Sequence, residues 1–427
     1  MPRRTPYRCR QASWRKQQRG AIAIVVGLSM AVLIGFVGLA LDLGKLYVAK
    51  SELQNSADAC ALAAARDVTG ATPLAISEAA GITAGRRNLA MFQKEEVALT
   101  ADSSVTYSDS LDHPFMDKNS VIYPLKDIRY VQCFTSRAGI ANWFIEILNV
   151  LPGIDIGPQT VSSTAVATTG SAQTACAIPI MACDPSKLSP ASSYTPGQWL
   201  LGKLDADDPK TYGGGNFGWA NLTPKNNGTP DLAKQLVGSG QCSLPALGTE
   251  IGTAGNKVSL SDAWNSRFGI VQKVGEAIGV PDFTGYAYNT KTWKTTWNGV
   301  DPGNAYPDFL VQRGKFKEYQ GDDALQLPKP GTQGQPSSND DHKKGADRRL
   351  VLMPLVDCSK FGKSGKPAPV TGWACVLMVE PMIHKGNESD VHVEYRGRSD
   401  TPGSPCATQG IPGEMNGVGP LVPVLVR

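Results

Sequence analysis

Apolar and polar positions divide the chain sharply near its start. From Gly20 to Leu41 runs GAIAIVVGLSMAVLIGFVGLAL, 22 residues without a charge. At about 1.5 Å per residue this is a helix of roughly 33 Å, against a hydrocarbon layer of about 30 Å. Beyond it Leu46, Ala49, Leu53, Ala57, Cys60 and Ala64 recur at spacings of three and four. That is a helix with one narrow apolar stripe. The pattern predicts a transmembrane helix at 20–41 continuing into a membrane-proximal helix at 42–70, ended by Gly70 and Pro73. An alanine-rich stripe buries little area, so this helix requires a partner surface.

Farther along, the elements shorten. Residues 71–170 read as a small α+β module. It has a helix over Ala75–Phe92, strands at Val97–Tyr107 and Ile128–Thr135, a helix at Asn142–Leu148 and the strand VSSTAVATT at 161–169. Residues 171–427 read as a loop-rich, mainly β extracytoplasmic domain. Turn signals recur there at Gly213–Asn216, Asn227-Gly228 and Asp301-Pro302-Gly303. The polar stretch 318–348 reads as a long exposed loop. Leu350–Val356 and Trp373–Val379 are the clearest strands, and 359–367 joins them as a hairpin or a neighbouring pair. The expected fold class is therefore α+β, with a single N-terminal membrane helix, a small α+β module and a mainly β outer domain.

Charge adds an orientation. Seven of the 42 basic side chains lie in residues 1–19, which hold no acid, leaving 35 basic against 38 acidic residues downstream. A basic tail before an apolar run stays in the cytoplasm. Trp14 and Tyr47 fall where interfacial aromatics lie. The body carries no basic excess, which excludes a nucleic-acid-binding role. Two other readings of the run are a cleaved signal peptide, for which Gly38-Leu39-Ala40 supplies small residues, and a buried core helix. The run is longer than a signal-peptide core of about 7–15 residues, and the flanking charge disfavours a core helix. Within the run Ala23, Gly27, Ala31 and Gly35 form a ridge of small side chains where another membrane helix could approach closely.

The polar positions around this helix carry a resemblance. Arg19-Gly20, the apolar run, Asp42 and Gly44, then Glu52, Leu53, Gln54, Asn55, Ala57 and Asp58 before an alanine run resemble the N-terminal signature of TadG-like proteins of the Flp (tight adherence) pilus-assembly system. Asn216–Trp219, Ala263–Gly269, RRLVLMPLVDC at 348–358, GWACVLMVEP at 372–381 and the terminal PLVPVLVR resemble the longer members more diffusely. The resemblance implies an inner-membrane, single-pass protein with a periplasmic body and other pilus-assembly proteins as partners. Two family features are not matched. Related pseudopilins are cut after a glycine and carry glutamate five residues on, where Val25 would stand for a cut at Gly20. Other relatives carry a metal site of the type Asp-x-Ser-x-Ser. Asp102, Ser104 and Thr106 fit that loosely and read better as part of an edge strand, VTYS.

Nine cysteines are present. Cys9 is cytoplasmic on this topology, and the other eight face an oxidising compartment, where an even number fits bridges. Candidate disulfide cysteines are Cys133, Cys176, Cys183, Cys242, Cys358, Cys375 and Cys406. The local pairs Cys176–Cys183 and Cys358–Cys375 could each close a loop, but the sequence does not choose among pairings. Cys60 reads as a small packing residue.

Chemistry finds little support. His113, His342, His384 and His392 are scattered, and no CxxC occurs. Ser239 in VGSGQ lacks a nucleophile elbow. GKSGK at 362–366 resembles a phosphate loop but lacks its first glycine. Asp205, Asp207 and Asp208 read as a solvated turn. No catalytic residue, metal site, cofactor or small-molecule substrate is expected, and the protein is read as no enzyme. The expectation is a structural or assembly component of a Flp-type pilus or secretion apparatus, acting by protein–protein contact. The alternatives are an anchored surface adhesin and, with least support, an extracytoplasmic hydrolase.

Overall fold

A computed structural model describes residues 18–150, 152–203, 218–223, 228–253, 255, 257, 259–270, 280–289, 293, 303–320, 337–360, 367–382, 391–413 and 417–427. The chain forms two compact units, residues 1–169 with 423–427 and residues 170–422. The fold is α+β, with a mainly β C-terminal part.

The first unit is organised by one helix, α1 (Gln18–Arg66), of 49 residues. No proline interrupts it, so the apolar run and the alanine-rich stripe are a single rod of about 74 Å. Residues 22–37 are exposed along its inner part, whereas Leu53, Ala57, Cys60, Ala61 and Ala64 are buried. The narrow stripe finds its partner surface in α2 (Leu74–Arg86) and in an antiparallel sheet. Small side chains let α2 come close. A Cβ on Gly85 would lie 3.1 Å from the Cys60 Cβ and 2.3 Å from a Leu99 methyl. The contact is stitched by Ser56 Oγ donating to the Gly85 carbonyl at 2.9 Å and Ser77 Oγ to that of Ala64 at 2.8 Å.

Helix α2 ends at Arg86, short of the expected Phe92. The short strand β1 (Leu89–Ala90) follows and pairs with β2 (Glu95–Glu96), so the chain reverses where the sequence reads as helix. The expected strand 97–107 shrinks to β3 (Val105–Ser108), because Asp102 takes a left-handed φ of 66° in the turn before it. β3 is the edge of a sheet continued by β4 (Tyr130–Ile140) and β5 (Gln159–Thr174). The expected helix at 142–148 is a 3₁₀ turn, Ile145–Val150. Helix α1 lies against β4, where Thr135 Oγ1 donates to the Leu53 carbonyl at 3.0 Å.

The second unit contains β6 (Ala182–Cys183), β7 (Trp199–Lys203), α3 (Thr229–Val237), β8 (Glu250–Ile251), α4 (Leu260–Ser266), α5 (Tyr306–Arg313), α6 (Asn339–Lys343), β9 (Leu350–Val356), β10 (Ala368–Met378), β11 (Val391–Arg398), β12 (Ala407–Pro412) and the first two residues of β13 (Leu421–Leu425). Its sheet runs β6-β9-β10-β11-β7, with β8 on the first residues of β10. β9 and β10 pair antiparallel, the neighbouring pair the sequence indicates. β10 is buried on both faces, which explains its unbroken apolar run WACVLM. On one face Ala374, Val376 and Met378 cluster with Trp219, Trp264 and Phe268, and on the other Trp373 and Cys375 cluster with Met181, Leu222 and Cys406. Helix α6 lies within the stretch expected to be loop, and 321–336 is outside the described residues.

Buried arginines replace missing secondary structure in this unit. Arg267 Nε donates to the Leu236 carbonyl at 2.7 Å and Nη1 to that of Arg348 at 2.6 Å. Arg349 Nε donates to the Met378 carbonyl at 2.8 Å and Nη1 to that of Thr284 at 3.1 Å, with its guanidinium 3.9 Å over the Phe268 ring. Burial pulls both guanidiniums down to about 10, so both stay charged at neutral pH. Each charge supplies several donors to carbonyls at the ends of α3 and β10 and in the adjoining loops. The segments Ala263–Gly269 and 348–358 are thus core braces.

The disulfides are Cys60–Cys133 in the first unit and Cys176–Cys242, Cys183–Cys358 and Cys375–Cys406 in the second. Both local pairs are therefore corrected. Cys176 and Cys183 bond different partners, Cys242 and Cys358, and Cys375 bonds Cys406. Cys60, read as a packing residue, is bonded to β4. Non-reducing peptide mapping should return these four linkages, and a Cys176–Cys183 peptide would contradict the fold. Replacing Cys60 and Cys133 by alanine should lower the first unit's unfolding free energy by roughly 4 kcal/mol, the chain-entropy value for so long a loop, measured by denaturant titration in detergent.

Candidate functional site

The part of α1 beyond the apolar run carries two buried carboxylates, Asp42 and Glu52, 3% and 8% exposed. Each catches backbone N–H groups of a turn. Asp42 Oδ1 accepts from the Trp143 N–H at 2.7 Å, and Oδ2 accepts from those of Phe144 at 2.9 Å and Ile145 at 2.7 Å. The first amides of a turn have no internal partner, and a carboxylate satisfies three here. Burial alone raises the Asp42 carboxyl pKa. The N–H donors of Ile145, Trp143 and Phe144, with nearby Lys45, outweigh it and hold the group below its ordinary range. Lys45 Nζ donates to the Ala141 carbonyl at 2.7 Å and lies 4.6 Å from the Trp143 ring centre. Below this clasp Phe144 sits on Gly38, where a Cβ would stand 2.6 Å from its own Cβ. Only glycine lets the turn approach so closely.

Glu52 repeats the device ten residues on. It accepts from the backbone N–H groups of Phe92 and Gln93, both at 3.1 Å, and from Gln93 Nε2 at 3.2 Å. Met91, Phe92 and Gln93 have φ of 55°, 61° and 60°. Three consecutive left-handed residues cost on the order of 1 kcal/mol each, and the carboxylate offsets that strain.

Other signature positions divide between fold and surface. Leu53 and Ala57 are core. Gln54 Nε2 donates to Asp58 Oδ1 at 2.8 Å and to the Thr164 carbonyl at 3.3 Å. Gly44 and Asn55 are exposed, and a Cβ on Gly44 would meet nothing within 4 Å. With Tyr47 and Ser51 they form one exposed face, at spacings of three, four and four, opposite the side that carries Asp42. Along the small-residue ridge all four positions are exposed. Ala31 and Gly35 line a groove with Phe144 and Ile145, and a Cβ on Gly27 or Gly35 would meet nothing within 4 Å.

Sequence reading missed the clasp on Asp42 and the turn on Glu52, because both join residues 40 to 103 positions apart. The signal present was the aromatic pair Trp143-Phe144 within the mostly apolar stretch IANWFIEILNVL at 140–151. The residues weighed for chemistry are apart. His392 Nδ1 lies 2.6 Å from Glu380 Oε1, His113 Nδ1 lies 2.8 Å from Asp109 Oδ1, and His342 is buried with Nδ1 2.5 Å from the Asp282 carbonyl. Ser239 is exposed after α3. Asp102 bonds Lys118 and Asn119, while Ser104 Oγ accepts from the Thr100 N–H and Thr106 Oγ1 lies against Gln132. These three residues therefore do not converge. Cys9, Asp205, Asp207, Asp208, residues 213–217, 362–366 and His384 lie outside the described residues.

The described geometry is that of a protein with one helix long and apolar enough to cross a membrane, consistent with a single-pass anchor. Residues 20–67 match the family described as Flp pilus-assembly TadE/G-like. Over this segment the chain is similar to TadE/G-like proteins. No curated protein and no solved structure matches the chain.

Asp42→Ala should deprive three buried amides of their acceptor, and charge-assisted bonds contribute about 1.5–3 kcal/mol. Hydrogen exchange at residues 143–145 should accelerate at least about tenfold in this variant, and less in Asp42→Asn, which keeps one acceptor oxygen. Because the folded carboxyl is depressed, the wild-type clasp is complete above the ordinary carboxylate range and weakens as pH falls through the lowered value. The wild-type advantage over Asp42→Asn should shrink in that direction. Equal protection in all three chains would contradict the clasp.

Proposed function

We propose that the protein is a membrane-anchored structural component of a Flp-type pilus-assembly apparatus, working by holding other proteins and without turnover. The observation that carries this reading is the TadE/G-like match over residues 20–67, the anchor helix and its continuation. In this reading the anchor lies in the inner membrane, with the basic tail in the cytoplasm and both units on the periplasmic side. The charge asymmetry supports that orientation, and four disulfides suit an oxidising compartment. The face of Gly44, Tyr47, Ser51 and Asn55 supports a contact role. It combines two family-signature residues that the fold itself does not use with a 77% exposed tyrosine, the kind of side chain that anchors interfaces.

Deleting the gene should reduce pilus display, and the full chain should restore it. A chain ending after residue 170 should insert in the membrane without restoring display. Gly44→Leu combined with Tyr47→Ala should lower recovery of pilus-assembly proteins in affinity capture roughly tenfold, the loss of one modest hot spot, with abundance unchanged. Alanine at Ser239, His384 or His392 should leave display intact. Loss of display from one of these, in a folded and abundant protein, would overturn the holding role in favour of chemistry at that residue.

A further inference from the structure

The turn at Trp143–Ile145 lies at the depth of the apolar run. Phe144 packs on Gly38, four residues before Asp42 and so about 6 Å below it along the helix axis. Trp143 and Phe144 are nonetheless 58% and 43% exposed, among the large apolar side chains open to the surroundings. Together with Ile145 they overhang α1, and an apolar groove runs beneath them along Ala31, Gly35 and Leu39.

Polarity changes at the same level in both elements. Above lie Asp42 and Lys45 with the Asn142 backbone, and at the level of Gly38 and Leu39 the two elements present Phe144 and Ile145 to an apolar helix face, while the next charge of the turn, Glu146, is exposed. Backbone placed in hydrocarbon must have its N–H groups satisfied, and the amides of Trp143, Phe144 and Ile145 all end on the Asp42 carboxylate. The indole stands at the boundary, where amphipathic aromatics are favoured.

We infer that Trp143, Phe144 and Ile145 form a second membrane-contacting element, a wedge held by Asp42 and immersed among phospholipid acyl chains beside the anchor. This rests on α1 spanning the membrane. The occupant of the groove is lipid because Phe144 on Gly38 blocks the helix face above Gly35. A straight partner helix following Ala31 and Gly35 would collide there, whereas a flexible acyl chain ends or bends beneath the ring. The wedge resists rotation and sliding of the anchor, which a lone helix permits.

The test uses the full chain in phospholipid nanodiscs, with a benzophenone amino acid placed at Ile34 or at Trp143. At Trp143 the replacement keeps an aromatic ring at an exposed position and leaves the backbone N–H to Asp42 in place. Mass spectrometry should find phospholipid adducts from both positions. Adding Asp42→Ala should cut the adduct at 143 several-fold and leave that at Ile34 unchanged. Adducts from Ile34 without any from 143, or a cross-link from 143 to a second protein chain, would overturn the wedge. Absence of lipid adducts from both would overturn the anchor itself.

Discussion

The rest of the first unit depends on the continuity of α1. A helix that is apolar all round for its first part and striped for its second must keep its phase through the change of surroundings. Asp42 marks the change. It is the first charge after the run, and it is buried where a charge is costly unless fully bonded. Three N–H donors and Lys45 meet that cost. Ten residues later Glu52 faces a similar side and holds a left-handed turn, and Cys60 then bonds β4. Carboxylates thus fasten irregular chain to a regular rod, and the disulfide fixes the rod to the sheet.

The second unit meets the same backbone problem with opposite charges. Carbonyls at the ends of α3 and β10 and in the adjoining loops take their donors from Arg267, Arg348 and Arg349. Arg348 adds an ion pair with buried Asp282 at 2.8 Å. Trp264 and Asn265 extend the bracing, through indole Nε1 to the Glu380 carbonyl at 2.9 Å and a reciprocal pair with the Met382 backbone at 2.7 and 2.8 Å. A large loop-rich body can therefore pack a two-faced sheet with little helix.

What the sequence made legible was local. The anchor and its stripe follow from period, β9 matches its apolar run, and VTYS is the edge strand. What it hid was non-local. The helix expected to Phe92 stops at Arg86 because Glu52, 40 residues earlier, stabilises the reversal at Met91–Gln93. Cysteine partners separated by 31 to 175 residues cannot be read from spacing. Cys60 looked like packing because its helical position is also a core position. The carboxylate sites were named as signature positions, but their use, accepting backbone N–H groups, required the fold.

The central claim is that α1 is one rod from the apolar run into the core of the first unit. Genetically encoded spin labels at Ile34 and Asn55, both exposed, test it in nanodiscs by pulsed dipolar spectroscopy. Twenty-one residues of unbroken helix give a backbone separation of about 32 Å. The account predicts one narrow distribution around that value, adjusted for label length. A broad, shortened or bimodal distribution would reveal a hinge near Asp42 and contradict it.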